Sequence, residues 1–306
     1  MNLPTASRML AAVLPIALAA APLAPPARAA GCAPVPKAEL PLALVRQRPL
    51  VTLKIDGAPA TMVLDTGAER TLLGEAAARR LGLAAHYTYA HAIAGVGGAV
   101  NAGEVRPEHV TFGGTAMPGF FIAVARVTFP PVDGLAVDGL LGADMLVDYD
   151  LELDFAHGRA RLYAPAACDA PAVPWPPGYG EVKAHKSMHR HLFFPVTLDG
   201  REVMAFIDTG AQVSALSAGA AQHLGLTGAA LALDPTLGVH GVAGAVSGHM
   251  HRFARLEVAG IDWRPTPFAV MPLRLDDADL ILGVDFLLAH RVWLSYAGRV
   301  VLVAPP

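Results

Sequence analysis

The sequence predicts a mainly β protein built as two pseudo-twofold-related lobes, each with one short helix. Three observations lead there. First, Asp65-Thr66-Gly67-Ala68 returns as Asp208-Thr209-Gly210-Ala211, each copy closing an apolar run at residues 61–64 or 204–207. Second, the repeat extends well beyond these four residues. At the resulting shift of 143, residues 48–83 and 191–226 agree at 12 of 36 positions. Gly95-Val96-Gly97-Gly98-Ala99-Val100 answers Gly241-Val242-Ala243-Gly244-Ala245-Val246, and Leu140-Leu141-Gly142-Ala143-Asp144 answers Ile281-Leu282-Gly283-Val284-Asp285. Third, residues 164–180 between the copies carry Pro165, Pro171, Pro174, Pro176 and Pro177. Proline at that density disfavours helix and central strand, so this stretch reads as an extended connector. The expected layout is a leader over 1–30, a first lobe over 38–163, a linker over 164–185 and a second lobe over 186–306.

Within each copy the elements follow in the same order. Residues 50–55 and 61–64 read as strands around Asp56-Gly57, a strong hairpin-turn dipeptide that returns as Asp199-Gly200. Residues 73–83 place Ala and Arg at helical spacing and stop at Gly82, which predicts a short helix with a twin over 218–224. Residues 110–124 and 256–270 are paired strand regions. Residues 150–155 and 292–296 alternate again as closing strands.

The first 30 residues have the form of a secretory leader. Arg8 gives a short positive start, residues 9–21 are apolar, and Ala27-Arg28-Ala29 is a small-x-small cleavage signal after Pro25-Pro26. The apolar stretch falls short of the ~20 residues a spanning helix needs, and no other segment is apolar for long enough. An exported protein is expected, periplasmic or secreted. Ala29-Ala30-Gly31-Cys32 also resembles a bacterial lipoprotein box, so a lipid anchor at Cys32 stays open beside a Cys32–Cys168 disulfide or free thiols. The formal charge of −3 argues against nucleic acid, for which a basic face is expected.

Asp-Thr-Gly-Ala followed by a Gly-rich cluster and then apolar-apolar-Gly-x-Asp, twice and in order, resembles the retropepsin-like aspartic peptidases in a single-chain form. The resemblance covers about residues 40–303. It implies acid-protease β-barrel lobes and a peptide or protein substrate, hydrolysed by one water between Asp65 and Asp208. Two carboxyls at short range share one proton, so the pair supplies both base and acid. By the same resemblance Thr66 and Thr209 would hold the two Asp loops together. Gly67, Ala68, Gly210 and Ala211 would complete those loops, the glycines leaving room for substrate backbone and water. Glu69 and Gln212 would face the ends of the peptide. Gly95, Val96, Gly97 and Gly98, with Gly241, Val242 and Gly244, would form flaps that close over it. Residues 140–142 and 281–283 would support the Asp loops from beneath. Because one chain carries both Asp residues, a monomer is expected.

Other chemistries find less support. The cluster at Gly95–Gly98 lacks G-x-G-x-x-G spacing, and there is no Gly-x-Ser-x-Gly elbow. His185, His189 and His191, and likewise His240, His249 and His251, have no Cys partner and no His-Glu-x-x-His helix. They read as surface or strand residues, with no metal or other cofactor implied. Asp144 and Asp285 read as turn or cap residues. The competing function is a two-lobed peptide-binding or scaffold protein that keeps the fold without catalysis.

Overall fold

The computed structural model describes residues 34–165, 173–241, 243–264, 267–275 and 277–306. The leader, Cys32 and Cys168 with the alternatives open for them, and Val242 lie outside the described residues. The first lobe begins with β1 (Pro36–Pro41) and β2 (Ala43–Val45), followed by the hairpin β3 (Arg48–Ile55) and β4 (Ala58–Leu64). Asp56 and Gly57 turn that hairpin with φ of 47° and 84°. Two successive positive φ values suit the right-handed strand twist and select Asp-Gly. Next come β5 (Leu72–Gly74) and α1 (Glu75–Arg80), then β6 (His86–Gly95), β7 (Gly98–Val105), β8 (Val110–Phe112) and β9 (Thr115–Ala116). The lobe closes with β10 (Ile122–Ala125), β11 (Gly139–Leu141), β12 (Asp150–Asp154) and β13 (Arg159–Tyr163).

Helix α1 is short because its apolar side is two alanines, Ala77 and Ala78, both buried. Glu75 in the first turn and Arg79 and Arg80 in the last complement the helix dipole. It ends where Gly82 takes φ 72° and the Leu83 amide returns to the Ala78 carbonyl at 2.9 Å.

The second lobe repeats the plan. After β14 (Gly180–Lys183) and β15 (His185–Lys186) come β16 (Leu192–Leu198), β17 (Arg201–Ile207), β18 (Ala215–Ser217), α2 (Ala218–His223) and α3 (Gly228–Leu231). Then follow β19 (Thr236–Gly241), β20 (Gly244–His251), β21 (Leu256–Val258), β22 (Ile261–Trp263) and β23 (Phe268–Met271). It ends with β24 (Leu280–Leu282), α4 (Val284–Ala289), β25 (Arg291–Ser295) and β26 (Val300–Ala304). Helices α1 and α2 lie at the two expected places. Among the described residues, no helix is long and apolar enough to cross a membrane.

The sheets show how complete the duplication is. One runs β6-β7-β10-β5-β11-β4-β3-β8-β9 with β2 on β3, the other β19-β20-β23-β18-β24-β17-β16-β21-β22 with β15 on β16. Every strand has its twin in the same place. In each lobe the strand before the Asp turn lies parallel to the strand before the Leu-Gly support. Leu64 faces Leu141, and Ile207 faces Leu282.

A third sheet, β1-β13-β12-β25-β26-β14, joins the lobes through antiparallel β12 and β25, with Leu151 opposite Leu294. Its apolar face belongs to a core shared by both lobes, in which Leu151, Leu153, Val292 and Val301 are fully buried. Burying such a side chain contributes roughly 1.5–3 kcal/mol. The connector takes part as well. Val173 and Trp175 are buried against Trp293, and β14 at its end pairs with β26. The strand is an edge one, as a proline-rich approach allows.

Candidate active site

Each Asp loop is held from beneath by its support strand. The Asp65 amide donates to the Leu141 carbonyl at 3.0 Å, and the Ala143 amide to the Ala68 carbonyl at 2.8 Å. In the second lobe Asp208 donates to Leu282 at 3.0 Å and Val284 to Ala211 at 2.8 Å. Asp144 and Asp285 reach further than the cap role expected of them. Asp144 Oδ1 accepts from the amide and hydroxyl of Thr71 at 2.8 and 2.7 Å, and Asp285 does the same for Ser214. Thr71 and Ser214 then accept from the amides of Gly142 and Gly283. Each carboxylate thus ties the start of β5 or β18 to the support turn.

Thr66 and Thr209 form a reciprocal clasp between lobes, and both are buried. The Thr66 amide donates to Thr209 Oγ1 at 2.9 Å, and the Thr209 amide to Thr66 Oγ1 at 3.1 Å. Each hydroxyl, already accepting, donates onward to the opposite strand: Thr66 to the Ile207 carbonyl at 2.8 Å, Thr209 to the Leu64 carbonyl at 2.7 Å. Four bonds across a dry interface fix the two turns face to face, since an unmatched buried polar group there would carry its full desolvation cost.

The clasp brings the carboxyls of Asp65 and Asp208 into side-chain hydrogen bonding with each other. Oδ1 of Asp65 also accepts from the amides of Gly67 and Ala68 at 3.1 and 3.0 Å, and Oδ1 of Asp208 from that of Gly210 at 2.8 Å. The glycines do something the resemblance did not suggest. A Cβ on Gly67 would overlap the Asp208 carboxyl, and one on Gly210 would lie 2.6 Å from Asp65 Cγ. The space they free is first of all the space of the opposite carboxyl.

The two carboxyls are not electrostatically equal. Burial pushes Asp65 well above the usual carboxyl range, and the charge and hydrogen bond of Asp208 push it further. Burial raises Asp208 too, but the Gly210 amide, the hydrogen bond from Asp65, the nearby His191 and the Ala211 amide all work against that rise. Both carboxyls are raised by burial, and the pair holds one proton and titrates as a unit.

The hairpins β6–β7 and β19–β20 meet at their tips. The Ala243 amide approaches the Val96 carbonyl at 3.4 Å. Gly97 has φ 92°, and a Cβ there would lie 2.5 Å from Gly244 backbone; one on Gly241 would lie 2.5 Å from Val96. Small residues are required because backbone meets backbone. Gly95 and Gly98 pair at the base of the first tip, as Gly241 and Gly244 do at the second.

Glu69 and Gln212 each meet a turn from the other lobe. Gln212 Nε2 donates to the Arg46 carbonyl at 2.6 Å, and Glu69 pairs with His189 Nδ1. Next in sequence, Arg70 pairs with Glu104 of β7 at 2.6 Å. The repeat puts Val213 and Met250 at those places, packed in an apolar cluster. At equivalent places the first lobe thus carries an ion pair and the second apolar packing.

One residue read as surface or strand is corrected. His191 is half-buried, its Nε2 lies 3.1 Å from the Gly67 carbonyl, and its ring stacks on Phe206 with centroids 4.9 Å apart. The signal available in sequence was the pair Phe193 and Phe206, aromatic where the first copy has Leu50 and Val63. Among the described residues, no three His, Cys, Asp or Glu side chains are placed to hold a metal ion.

Compared with known families, the chain matches one model, described as aspartyl protease, twice: over residues 51–145 and again over 194–286. A search of curated proteins finds no match.

Proposed function

From the premise that this chain belongs to the aspartyl protease family, we propose that it is an exported endopeptidase, acting as a monomer through the dyad Asp65/Asp208. The carrying observation is that the interlobe threonine clasp brings two half-buried carboxyls, one from each copy, into hydrogen bonding. Carboxyls so close cannot both ionise, a general property of aspartic-protease dyads, and so they operate with one proton between them.

The reaction follows from that single proton. A water held between the carboxyls attacks the scissile carbonyl carbon. The ionised carboxyl of the pair takes the water's proton as the new C–O bond forms, and the protonated one gives its proton to the carbonyl oxygen, leaving a neutral tetrahedral diol. In the second step the first carboxyl returns its proton to the amide nitrogen as the C–N bond breaks. The other carboxyl meanwhile recovers a proton from a diol hydroxyl. Acid and amine leave, and the dyad again holds one proton. The hairpins that meet at Val96 and Ala243 act as flaps, parting to admit an extended peptide and then excluding water. The leader over residues 1–30 supports export.

A statine-type transition-state analogue tests this reading in calorimetry. One molecule should bind per chain, with binding lost in Asp65→Asn and in Asp208→Asn. Binding unaffected by both substitutions would favour a non-catalytic peptide-binding role.

A further inference from the structure

Two hairpin turns cross from one lobe to the other, and the repeat makes them equivalent in position but not in chemistry. At the shift of 143, Arg46, Gln47 and Arg48 of the β2–β3 turn correspond to His189, Arg190 and His191 of the β15–β16 turn. The first turn touches the opposite Asp loop through a backbone carbonyl, that of Arg46, which accepts from Gln212. The second does so through two imidazoles, His189 on Glu69 and His191 on Gly67. Only the second copy builds a seat for a ring: Phe206 stacks on His191 at 4.9 Å and 19°, and Phe193 meets it edge-on at 5.9 Å.

A carbonyl oxygen can only accept, so the Nε2 facing Gly67 carries the hydrogen. Gly67 is the residue whose missing Cβ makes room for the Asp208 carboxyl. His191 therefore stands on the residue that lies against the Asp208 carboxyl. Asp65 is the other carboxyl of the pair, hydrogen-bonded to Asp208. The other groups facing His191 are His189 on its own turn, with Glu69 behind it, and the uncharged Phe193 and Phe206.

We propose that His191 is a positioning residue of the dyad: it holds the Gly67 turn against Asp208 and, when protonated, biases the shared proton to Asp65. The inference rests on the proteolytic reading above. The surroundings of the ring agree with it in sign. Burial among the phenylalanines lowers His191 from its ordinary value, the charge of Asp208 and the Gly67 carbonyl raise it, and His189 lowers it again. Below that lowered value the ring is cationic. Wherever the ring is cationic, its charge favours an ionised Asp208.

Two measurements decide it. In pH profiles of kcat/KM, His191→Phe should move the acid limb up by roughly 0.5–1 pH unit and lower kcat. His191→Gln, which can still donate to the Gly67 carbonyl but carries no charge, should recover kcat and keep the moved limb. Profiles that superimpose on the wild type, or a loss of folded protein with the limb unmoved in what remains, would overturn the proposal. The second measurement needs no activity and so separates this proposal from the proteolytic reading. In NMR titration of the His191 ring, Asp208→Asn should lower its midpoint by at least about half a pH unit, since coupling between two charges is reciprocal. An unmoved midpoint would overturn the coupling even in an active protease.

Discussion

Asp65 keeps its proton more tightly in the folded chain than it would unfolded, because burial and Asp208 both disfavour its charge. A carboxyl raised in this way supports folding below its unfolded value and withdraws that support as pH rises through its folded value. Asp65→Asn, a neutral group of the same shape that can donate to Asp208, should therefore raise the Tm at neutral pH. The gain should vanish at pH 3, below the ordinary carboxyl value. A gain that grew toward low pH would reverse the sign argued here. The threonines obey a different account. Thr66→Val and Thr209→Val each strip a hydroxyl that makes one onward bond and accepts another, leaving a buried amide and carbonyl unmatched. Each should cost about 1–3 kcal/mol in urea unfolding. Because the clasp is symmetric, the two losses should agree closely. At this scale the sequence was most informative where residues repeat. Both Asp-Thr-Gly-Ala turns are legible because identical residues recur in identical company. His191 was not legible, since its role depends on phenylalanines two and fifteen residues away that only the fold brings to one ring.

Among the elements, β12 departs furthest from its pattern. Asp150-Leu151-Glu152-Leu153-Asp154 alternates like a strand with one wet face, yet all five residues are buried. The polar face is closed over by charges from elsewhere. Glu152 accepts from Tyr163 and from Trp175 Nε1, both at 2.8 Å, and pairs with Arg291 of the other lobe at 3.0 Å. Asp154 pairs with Arg159 at 2.8 Å and with Arg291 at 3.3 Å. Trp175 comes from the proline-rich connector, so nothing local to β12 foretold its burial. Removing one partner of a buried charge network leaves the others uncompensated. Glu152→Ala should accordingly cost about 3–5 kcal/mol, measured by denaturant unfolding. A loss within 0.5 kcal/mol, roughly the range of a neutral surface change, would mean the face is wetter than the structure describes. The hairpins and the helices α1 and α2 were legible for a simpler reason, whereas α3 and α4 were not expected and residues 73–74, expected as helix, belong to β5. Asp-Gly turns and an Ala-rich run ending in Gly are local signals that tertiary packing does not override here.

At the scale of the whole molecule, the lobes are halves of one object. A shared core runs through both, and the six-stranded sheet crosses between them at β12 and β25. The duplication explains why the chain can complete a site alone. The covalent connection keeps the second lobe at an effective concentration in the millimolar range, which a separate copy would seldom match. Specific activity should therefore stay constant on dilution through the nanomolar range. A fall in proportion to protein concentration would indicate lobes exchanged between chains. The symmetry is carried by backbone plan and lost in side chains: Arg70 and Glu104 answer Val213 and Met250, and Arg46 answers His189. Pairwise repeats in the sequence reveal the plan. They do not reveal which unmatched positions meet across the lobes, because the tip hairpins and crossing turns are distant in the chain.

The claim that everything else depends on is one shared proton between two carboxyls of one site, and turnover of a peptide substrate by the two Asp→Asn variants tests it most directly. Both Asp65→Asn and Asp208→Asn should fall at least about a thousandfold below the wild type at its optimal pH, since a group acting as base in one step acts as acid in the next. Wild-type turnover in either variant would contradict the account.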